Sequence, residues 1–247
     1  MDLNLNGRTA IVCGASSGLG LATSEALKAE GANVVMFARR RDLLEQEAER
    51  IGATAVHGDS TNSSDLANLV EQTVQAFGGL DILVLNSGGP KWGPAAEVTA
   101  KELEVAVRLV LAPAVTMVGL ALPHLRRSLS ARVVVFTSAS AKAPIANLAL
   151  SNMTRPALTG WAKTLSRELG PEGITVNCVA PGYIFTSRLQ GAYPDGPPVE
   201  HVADIPLGRW GTPDEFADVV CFLASDRARY VNGVTLSVDG GLTPGLY

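Results

Sequence analysis

The stretch TAIVCGASSGLG, from Thr9 to Gly20, decides the fold of this chain. Its first four residues, β-branched or small, are typical of a buried strand. A turn with Gly14, Gly18 and Gly20 follows, and then a helix-like segment. Glycine permits a sharp turn and close approach of a ligand, and a helix N-terminus presents free N–H groups and partial positive charge. The stretch predicts a pyrophosphate site, although such glycine turns also occur without ligands, so the context must decide.

Along the rest of the chain, apolar β-rich segments alternate with longer helical segments, as in βαβ units that form a parallel sheet covered on both faces. We predict strands at Thr9–Cys13, Asn33–Phe37, Ala53–His57, Ile82–Leu85, Arg132–Thr137, Ile174–Val179 and Val234–Val238. We predict helices centred on Leu19–Ala29, Asp42–Ile51, Asp65–Phe77, Glu102–Leu125, Thr154–Leu169 and Asp214–Ala224. The sequence thus predicts one α/β domain, residues 1–247, with a doubly wound seven-stranded sheet.

One segment departs from this pattern. Between Pro181 and Pro213 the chain is rich in glycine and proline, directly after the sixth predicted strand. A long irregular segment in a compact α/β domain is more often functional than a simple linker, and ligands of such sheets bind beyond the carboxyl ends of the strands. We therefore predict a substrate lid at about residues 183–212, with a loop that only packs an oligomer as the alternative.

Composition narrows the class of partner. Charged residues make up 18% and hydrophobic residues 47% of the 247 residues, so we expect part of the surface to be buried in an oligomer. The net charge is −4, and the tightest basic run is Arg39 to Arg41, which argues against nucleic acid as a partner. A small-molecule substrate is the partner that remains.

The sequence also bears on the compartment. Cys13, Cys178 and Cys221 are widely separated among apolar neighbours, which is typical of reduced core residues in a cytosolic protein. The N-terminal MDLNLNGR lacks the basic and apolar regions of a signal peptide. The longest uncharged run, Leu109–Leu122, contains proline and is too short to span a bilayer, so we interpret it as a buried helix. We expect a cytoplasmic protein with no membrane partner.

Three further motifs follow later strands in order. NSGG at 86–89, TSAS at 137–140 and NCVAPGYIFT at 177–186 join CGASSGLG at 13–20, and Asp59 follows the third strand. Together they resemble the short-chain dehydrogenase/reductase family, in particular its 3-oxoacyl-carrier-protein-reductase-like members, from about Leu5 to Gly241. The resemblance implies a single Rossmann-type domain that binds a dinucleotide cofactor. It also implies a homodimer or homotetramer, assembled through the fourth and fifth helices.

The resemblance also assigns cofactor contacts. It implies that the pyrophosphate lies on the first turn, at Gly14, Ser16, Ser17, Gly18, Leu19 and Gly20. It implies an adenosine site at Asp59, Ser60, Asn86 and Gly88, and a nicotinamide site at Pro181, Gly182, Ile184 and Thr186. The residues alone support the first group and leave the contacts of the others open.

The choice of cofactor depends on charge after the second strand. Units that bind NAD commonly place an acid there to accept a hydrogen bond from the ribose 2′-OH. Here the position is Ala38, followed by Arg39, Arg40 and Arg41. Guanidinium groups suit a 2′-phosphate, so we predict NADP(H), with NAD(H) as the less favoured choice.

The chain departs from the family at its catalytic residues. Members commonly use an Asn, a Ser, and a Tyr and Lys spaced Y-x-x-x-K. Ser138 matches the serine, but Ser151 and Arg155 stand where the tyrosine and lysine belong, and Val110 stands at the asparagine. A serine hydroxyl titrates too high to replace an activated tyrosine, and arginine cannot relay a proton. Arg155 can still hydrogen-bond the nicotinamide ribose.

The sequence leaves three substitutes for the missing acid. Tyr183 follows the Pro-Gly pair and is the first candidate; Lys91, in a loop beside the expected substrate, is the second. The third is a water held by Ser138 and Ser151 and polarised by Arg155. Trp92 and Trp210 are candidates for an apolar substrate wall.

Three functions are therefore open. We favour an NADP(H)-dependent oxidoreductase that acts on a small carbonyl or imine-like substrate through a non-standard acid, with Ser138 polarising the substrate and Arg155 fixing the cofactor. The alternative is a cofactor-binding pseudoenzyme or a regulatory or structural subunit without redox turnover. A non-redox lyase or isomerase is the third. We assign no metal site.

Overall fold

The computed structural model describes residues 2–245, which form one parallel sheet with helices on both faces. The strands are β1 Thr9–Cys13, β2 Asn33–Ala38, β3 Thr54–His57, β4 Ile82–Leu85, β5 Arg132–Phe136, β6 Thr175–Pro181 and β7 Thr235–Val238. The helices are α1 Gly18–Ala29, α2 Arg41–Ile51, α3 Ser63–Phe77, α4 Ala100–Val110, α5 Ala112–Leu125, α6 Ala149–Leu169, α7 Ser187–Ala192, α8 Val199–Ala203 and α9 Pro213–Ala224.

The strand order is β3-β2-β1-β4-β5-β6-β7, and every pair is parallel. The order reverses between β1 and β4, so the chain leaves β1 towards one edge and returns to build the other. This is the topological switch point of a doubly wound Rossmann-type sheet, beyond whose carboxyl ends ligands bind. The predicted fold class is confirmed.

Alternate residues of each strand face opposite layers because the side-chain period of a strand is two. In β1, Ile11 packs in the cluster that includes Val133 of β5, Met117 of α5 and residues of α3 and α6. Its neighbour Val12 packs on the other face, in the cluster that includes Leu27 of α1 and Phe216 of α9. A sheet buried on both faces requires apolar residues at consecutive positions, which explains the apolar strand runs in the sequence.

Helix boundaries follow local chemistry. Thr99 and Thr212 cap α4 and α9 with complete capping boxes, each closed by a glutamate at the third helical position. Pro213 opens α9 at a position where its missing N–H costs nothing.

Two predicted helical features are wrong in detail. The helix predicted at Glu102–Leu125 is two helices that meet at Leu111, with Pro113 in the first turn of α5. The run Leu109–Leu122 is not fully buried, because Val115 keeps 46% of its surface exposed while Met117 is buried. By length and composition Ala100–Leu125 could cross a membrane, with 39% of its most apolar window buried in the protein; helices of non-membrane proteins also meet this criterion.

The predicted irregular segment at 183–212 contains α7 and α8, which the sequence analysis missed. Both are short, at six and five residues, so neither is long enough to repeat the apolar pattern by which a helix is recognised. All three cysteines are buried and unpaired, and burial raises the pKa of each thiol to about 12.

Candidate functional site

A cavity of about 680 Å³ opens beyond the carboxyl ends of the strands at the switch point. The loops after β1 to β6 all contribute to its wall. The sheet topology thus brings the motifs that were separated in sequence to one place. Most of the predicted site residues line it: Gly14, Ser16, Ser17, Gly18, Leu19, Arg39, Arg40, Ser60, Asn86, Gly88, Ser138, Ser151, Arg155, Pro181, Gly182, Ile184 and Thr186.

The glycine turn after β1 forms one end of the cavity. Gly14 and Gly18 have φ of 64° and 57°, in the left-handed region that glycine adopts without strain. Gly20 does not line the cavity. A Cβ there would collide with the carbonyl group of Gly14, so its role is to let α1 pack closely on the turn. Its predicted contact with the cofactor stays a prediction.

Arg40 lies against this turn. Its Nη2 donates to Ser16 Oγ at 3.1 Å and to Ser17 Oγ at 2.6 Å, and Arg39 lines the cavity beside it. Ala38, which ends β2, supplies no acid. Two guanidinium groups and two hydroxyls therefore stand where a ribose 2′-substituent would lie, and this set fits a phosphate better than a hydroxyl.

Asp59 is turned away from the cavity, while its neighbours Gly58 and Ser60 line it. The Asp59 carboxylate accepts from the Thr61 N–H at 2.8 Å, and this bond lowers the pKa of the carboxyl. The Asp59 N–H donates to Asp65 at the start of α3. Asp59 thus shapes the turn after β3, and its predicted contact with adenine stays a prediction.

The NSGG segment after β4 forms the floor of the cavity. Asn86 Nδ2 donates to Gly14 O at 3.4 Å and so joins the loops after β1 and β4. Ser87 was not predicted as a site residue. Its Oγ is buried in the cavity wall without a hydrogen-bond partner among residues 2–245, which marks it as a candidate contact for a ligand. Only the motif itself pointed to it.

The serines after β5 form a local network. Ser138 Oγ accepts from the Ser140 N–H at 3.1 Å, and Ser140 Oγ lies 2.9 Å from Ser151 Oγ. Ser151 is therefore held by Ser140, a residue the sequence analysis did not single out. A water bound by Ser138 and Ser151 would share Ser151 with this bond.

Arg155 lies one helical turn after Ser151 on the same face of α6. It keeps only 6% of its surface exposed, and its guanidinium donates to Phe136 O at 2.9 Å and Gly88 O at 3.4 Å. Burial, together with the nearby Arg188, lowers the pKa of Arg155 to about 10. Arg155 remains a cation at neutral pH, and part of its donor capacity goes to backbone carbonyls rather than to a ligand.

The end of β6 closes the cavity opposite the NSGG segment. Pro181, Gly182, Ile184 and Thr186 all line it, as predicted. A Cβ on Gly182 would lie 2.6 Å from Asp239 Cβ, so only glycine fits where the chain leaves the sheet beside β7.

Tyr183 does not line the cavity. Its ring stacks on His201, with centroids 4.6 Å apart, and on Trp210 at 5.5 Å. Burial raises the pKa of the Tyr183 phenol, which makes it a weaker acid. The position of Tyr183 therefore gives no support to its predicted role as acid. Its ring instead packs against other rings of the irregular segment 183–212.

The structure places the remaining candidates from the sequence in three different surroundings. Lys91 Nζ forms an ion pair with Glu102 at 2.7 Å on the surface, which raises the pKa of the lysine, and it does not line the cavity. Trp92 lines the mouth of the cavity and remains 40% exposed, whereas Trp210 is buried within the irregular segment 183–212. Within residues 2–245 no group of three acidic, His or Cys side chains could hold a metal ion.

Sequence comparison gives this geometry a context. The profile of a family described as Enoyl-(Acyl carrier protein) reductase matches residues 14–243. The chain is 34% identical to a cyclohexanol dehydrogenase of Rhodococcus sp. (strain TK6), with 98% of each covered. It is 30% identical to the dehydrogenase/reductase SDR family member 4 of Sus scrofa, covering 96% of this chain and 88% of that protein.

Two solved structures have the same fold as this chain. YwfH, an NADPH dependent reductase involved in bacilysin biosynthesis, superposes with a TM-score of 0.91 at 26% identity, covering 97% of this chain and 99% of that one. L-Sorbose reductase from Gluconobacter frateurii, complexed with NADPH and L-sorbose, superposes with a TM-score of 0.90 at 30% identity over the whole of both chains. Both structural neighbours are thus reductases that use or bind NADPH.

Proposed function

Because this chain belongs to the short-chain dehydrogenase/reductase family, we propose that it is an NADP(H)-dependent oxidoreductase acting on a small carbonyl or imine-like substrate. The observation that carries the proposal is the single cavity with a glycine turn and Arg40 at one end and Ser138, Ser151 and Arg155 at the other. The bound cofactor supplies a hydride, and the protein supplies binding and orientation.

The residues that would hold the cofactor fit its charges. The glycine turn and the N-terminus of α1 suit a pyrophosphate, and Arg39 and Arg40 suit a 2′-phosphate. Residues from Pro181 to Thr186 remain our assignment for the nicotinamide end. The NADPH dependence of YwfH and the NADPH bound to L-sorbose reductase support the same choice here.

The proposed acid is non-standard because of what lines the cavity. Among the described residues its wall contains Ser, Thr, Asn and Arg as polar side chains, and no Tyr, Lys, His, Cys, Asp or Glu. No side chain there exchanges a proton near neutral pH. We propose that Ser138 donates a hydrogen bond to the substrate and that the proton comes from water, with Arg155 holding positive charge nearby. An iminium substrate would need no proton at all.

The alternative is a cofactor-binding pseudoenzyme or a structural or regulatory subunit. The observation in its favour is that Ser151 is held by Ser140 and that Arg155 is held by Phe136 O and Gly88 O. These side chains act as supports of the cavity wall whether or not a reaction follows.

Turnover of NADPH decides between the two. We expect NADPH oxidation by at least one compound in a panel of ketones, aldehydes and cyclic imines, with imines the faster class. With ketones and aldehydes the rate should change little between about pH 6 and pH 8, because no cavity side chain titrates there; with imines it should follow the protonated fraction of the substrate. Cofactor absorbance and a fluorescence titration of NADPH binding are the measurements.

The control is the double substitution Ser151→Tyr with Arg155→Lys, which restores the usual pair. In the oxidoreductase reading it raises ketone reduction and introduces a pH dependence. Tight NADPH binding without turnover, unchanged in this double variant, would establish the pseudoenzyme instead.

A further inference from the structure

The side chains that line the cavity are more positively charged than the protein as a whole. The chain has a net charge of −4, yet the described residues that line the cavity include four arginines and no carboxylate. Arg39 and Arg40 are accounted for by a 2′-phosphate. Arg155 and Arg188 lie at the other end, near the segment that follows β4.

Among residues 2–245 Arg155 has hydrogen-bond partners, whereas Arg188 has none. Within residues 2–245 no carbonyl, hydroxyl or carboxylate accepts a hydrogen bond from the Arg188 guanidinium, and no acidic side chain forms an ion pair with it. Arg188 is itself exposed, but unlike the exposed Arg126 and Arg209, which pair with glutamates, it lies in the cavity wall. A guanidinium has five N–H donors, and none of those of Arg188 is used by residues 2–245, so they are available to a ligand in the cavity.

The position of Arg188 depends on a glycine. Its guanidinium lies directly over Gly89, and a Cβ on Gly89 would collide with it. The preceding residue, Gly88, accepts from Arg155. Two consecutive glycines thus bring two guanidinium groups together at the substrate end of the cavity.

This proximity has an electrostatic cost. Arg188 and burial both lower the pKa of Arg155, and burial also lowers the pKa of Arg188. Two cations held in a partly desolvated cavity repel each other, and an anion between or beside them relieves that repulsion. The phosphates of the cofactor already have the glycine turn and the Arg39–Arg40 pair.

We propose that Arg188 binds a carboxylate of the substrate, which makes the substrate an oxo acid or the corresponding imino acid. The proposal rests on the proposed function, since it names the substrate class of the same site. A planar guanidinium grips a carboxylate through two parallel hydrogen bonds and so orients it. Ser138 lines the same cavity as Arg188, and we assign to Ser138 the carbonyl of the substrate whose carboxylate Arg188 holds.

The test compares acids with their neutral esters. The probes are acetoacetate and levulinate against methyl acetoacetate and methyl levulinate. Binding to the protein saturated with NADP⁺ is measured by calorimetry, and NADPH oxidation is measured in parallel. The wild-type protein should favour each acid over its ester by about 10- to 100-fold, the range expected for hydrogen bonds between charged groups.

Two variants remove this preference by different routes. Arg188→Met keeps the apolar length of the side chain and loses the charge. Gly89→Ala keeps the arginine but fills the space of its guanidinium, and no left-handed φ at Gly89 opposes the change. Both should erase the preference for acids through a higher KM, with kcat and the NADPH Kd changed by less than about twofold. Arg167→Met, on the exposed surface of α6, is the matched control for loss of one charge.

Each outcome has a defined meaning. Equal binding of acids and esters by the wild-type protein overturns the proposal. A weaker NADPH Kd in both variants, with the acid preference retained, assigns Arg188 to the cofactor and also overturns it. Reduction of neutral ketones without preference for acids leaves the oxidoreductase and removes the carboxylate site. Selective binding of acids without any turnover supports the carboxylate site while the proposed reaction fails.

Discussion

At the residue scale, Arg40 is the best-defined determinant of the cofactor. Its guanidinium is fixed by the hydroxyls of Ser16 and Ser17, so one side chain joins the end of β2 to the turn after β1. A fixed guanidinium loses little entropy when a phosphate binds, which increases the selectivity that it provides. The adjacent Arg41 is exposed, starts α2 and does not line the cavity.

Arg40→Met should weaken NADPH binding by about 10- to 100-fold, because a charge-assisted contact with the 2′-phosphate is lost. NADH binding should change by less than about threefold, since NADH has no such phosphate. A fluorescence titration with both cofactors measures this, and Arg41→Met serves as the control. Equal losses for NADPH and NADH would contradict a role at the 2′-phosphate.

At the element scale, the packing of α1 on the glycine turn sets the shape of the cofactor end. Gly20 lies inside α1, where a Cβ would meet the backbone of Gly14 rather than a movable side chain. Gly160 also lies inside a helix, α6, but a Cβ there meets nothing within 4 Å. The two positions form a matched pair, alike in local conformation and opposite in surroundings.

Gly20→Ala should destabilise the fold by about 1–3 kcal/mol, as for other overpacked sites, and weaken NADPH binding by moving α1. Gly160→Ala should instead stabilise the fold by about 0.5–1 kcal/mol, because alanine favours the helix. Thermal and urea unfolding measure both. A neutral Gly20→Ala would show that α1 can shift without cost.

The irregular segment 183–212 also belongs to the element scale, because packed aromatic rings rather than long helices hold it together. Tyr183, His201, Trp210 and Tyr193 pack with ring centroids between 4.6 and 5.8 Å apart. Stacked and edge-to-face rings contribute about 0.5–1.5 kcal/mol per pair beyond the burial of their area. This cluster keeps α7, and therefore Arg188, beside the cavity.

At the scale of the whole molecule, α4 and α5 each bury one face against the protein and leave apolar residues exposed on the other face. Val105 is 58% exposed and Val115 46% exposed, on helices whose other face packs on α3 and α6. Such an exposed apolar face is typical of an interface between subunits. We therefore propose a homodimer or homotetramer built on this face.

Light scattering should give a dimer or tetramer for the native chain. Val105→Glu with Val115→Glu should shift it to a smaller species, because two carboxylates would be buried in the interface. Leu129→Glu, at a fully exposed residue outside these helices, should leave the assembly unchanged. A monomeric native chain would exclude this interface.

The sequence alone determined the architecture of this protein. The apolar runs of a sheet buried on both faces, the capping boxes and the left-handed glycines are encoded within a few residues of where they act, so strands such as Thr9–Cys13 and Ile82–Leu85 were predicted with their observed bounds. The carboxyl ends of parallel strands meet at one edge, so the cavity and most of its wall followed from the order of the motifs.

Only the tertiary structure decided the roles of individual polar side chains. It paired Ser151 with Ser140, took Tyr183 into the aromatic cluster, and placed Arg188 over Gly89 beside Arg155. These contacts join segments of distant sequence or depend on which way a side chain points, and neither spacing nor periodicity carries that information. The glycine turn at Thr9 to Gly20 could predict a dinucleotide site, but the charge at the other end of the cavity emerged only when the chain was folded.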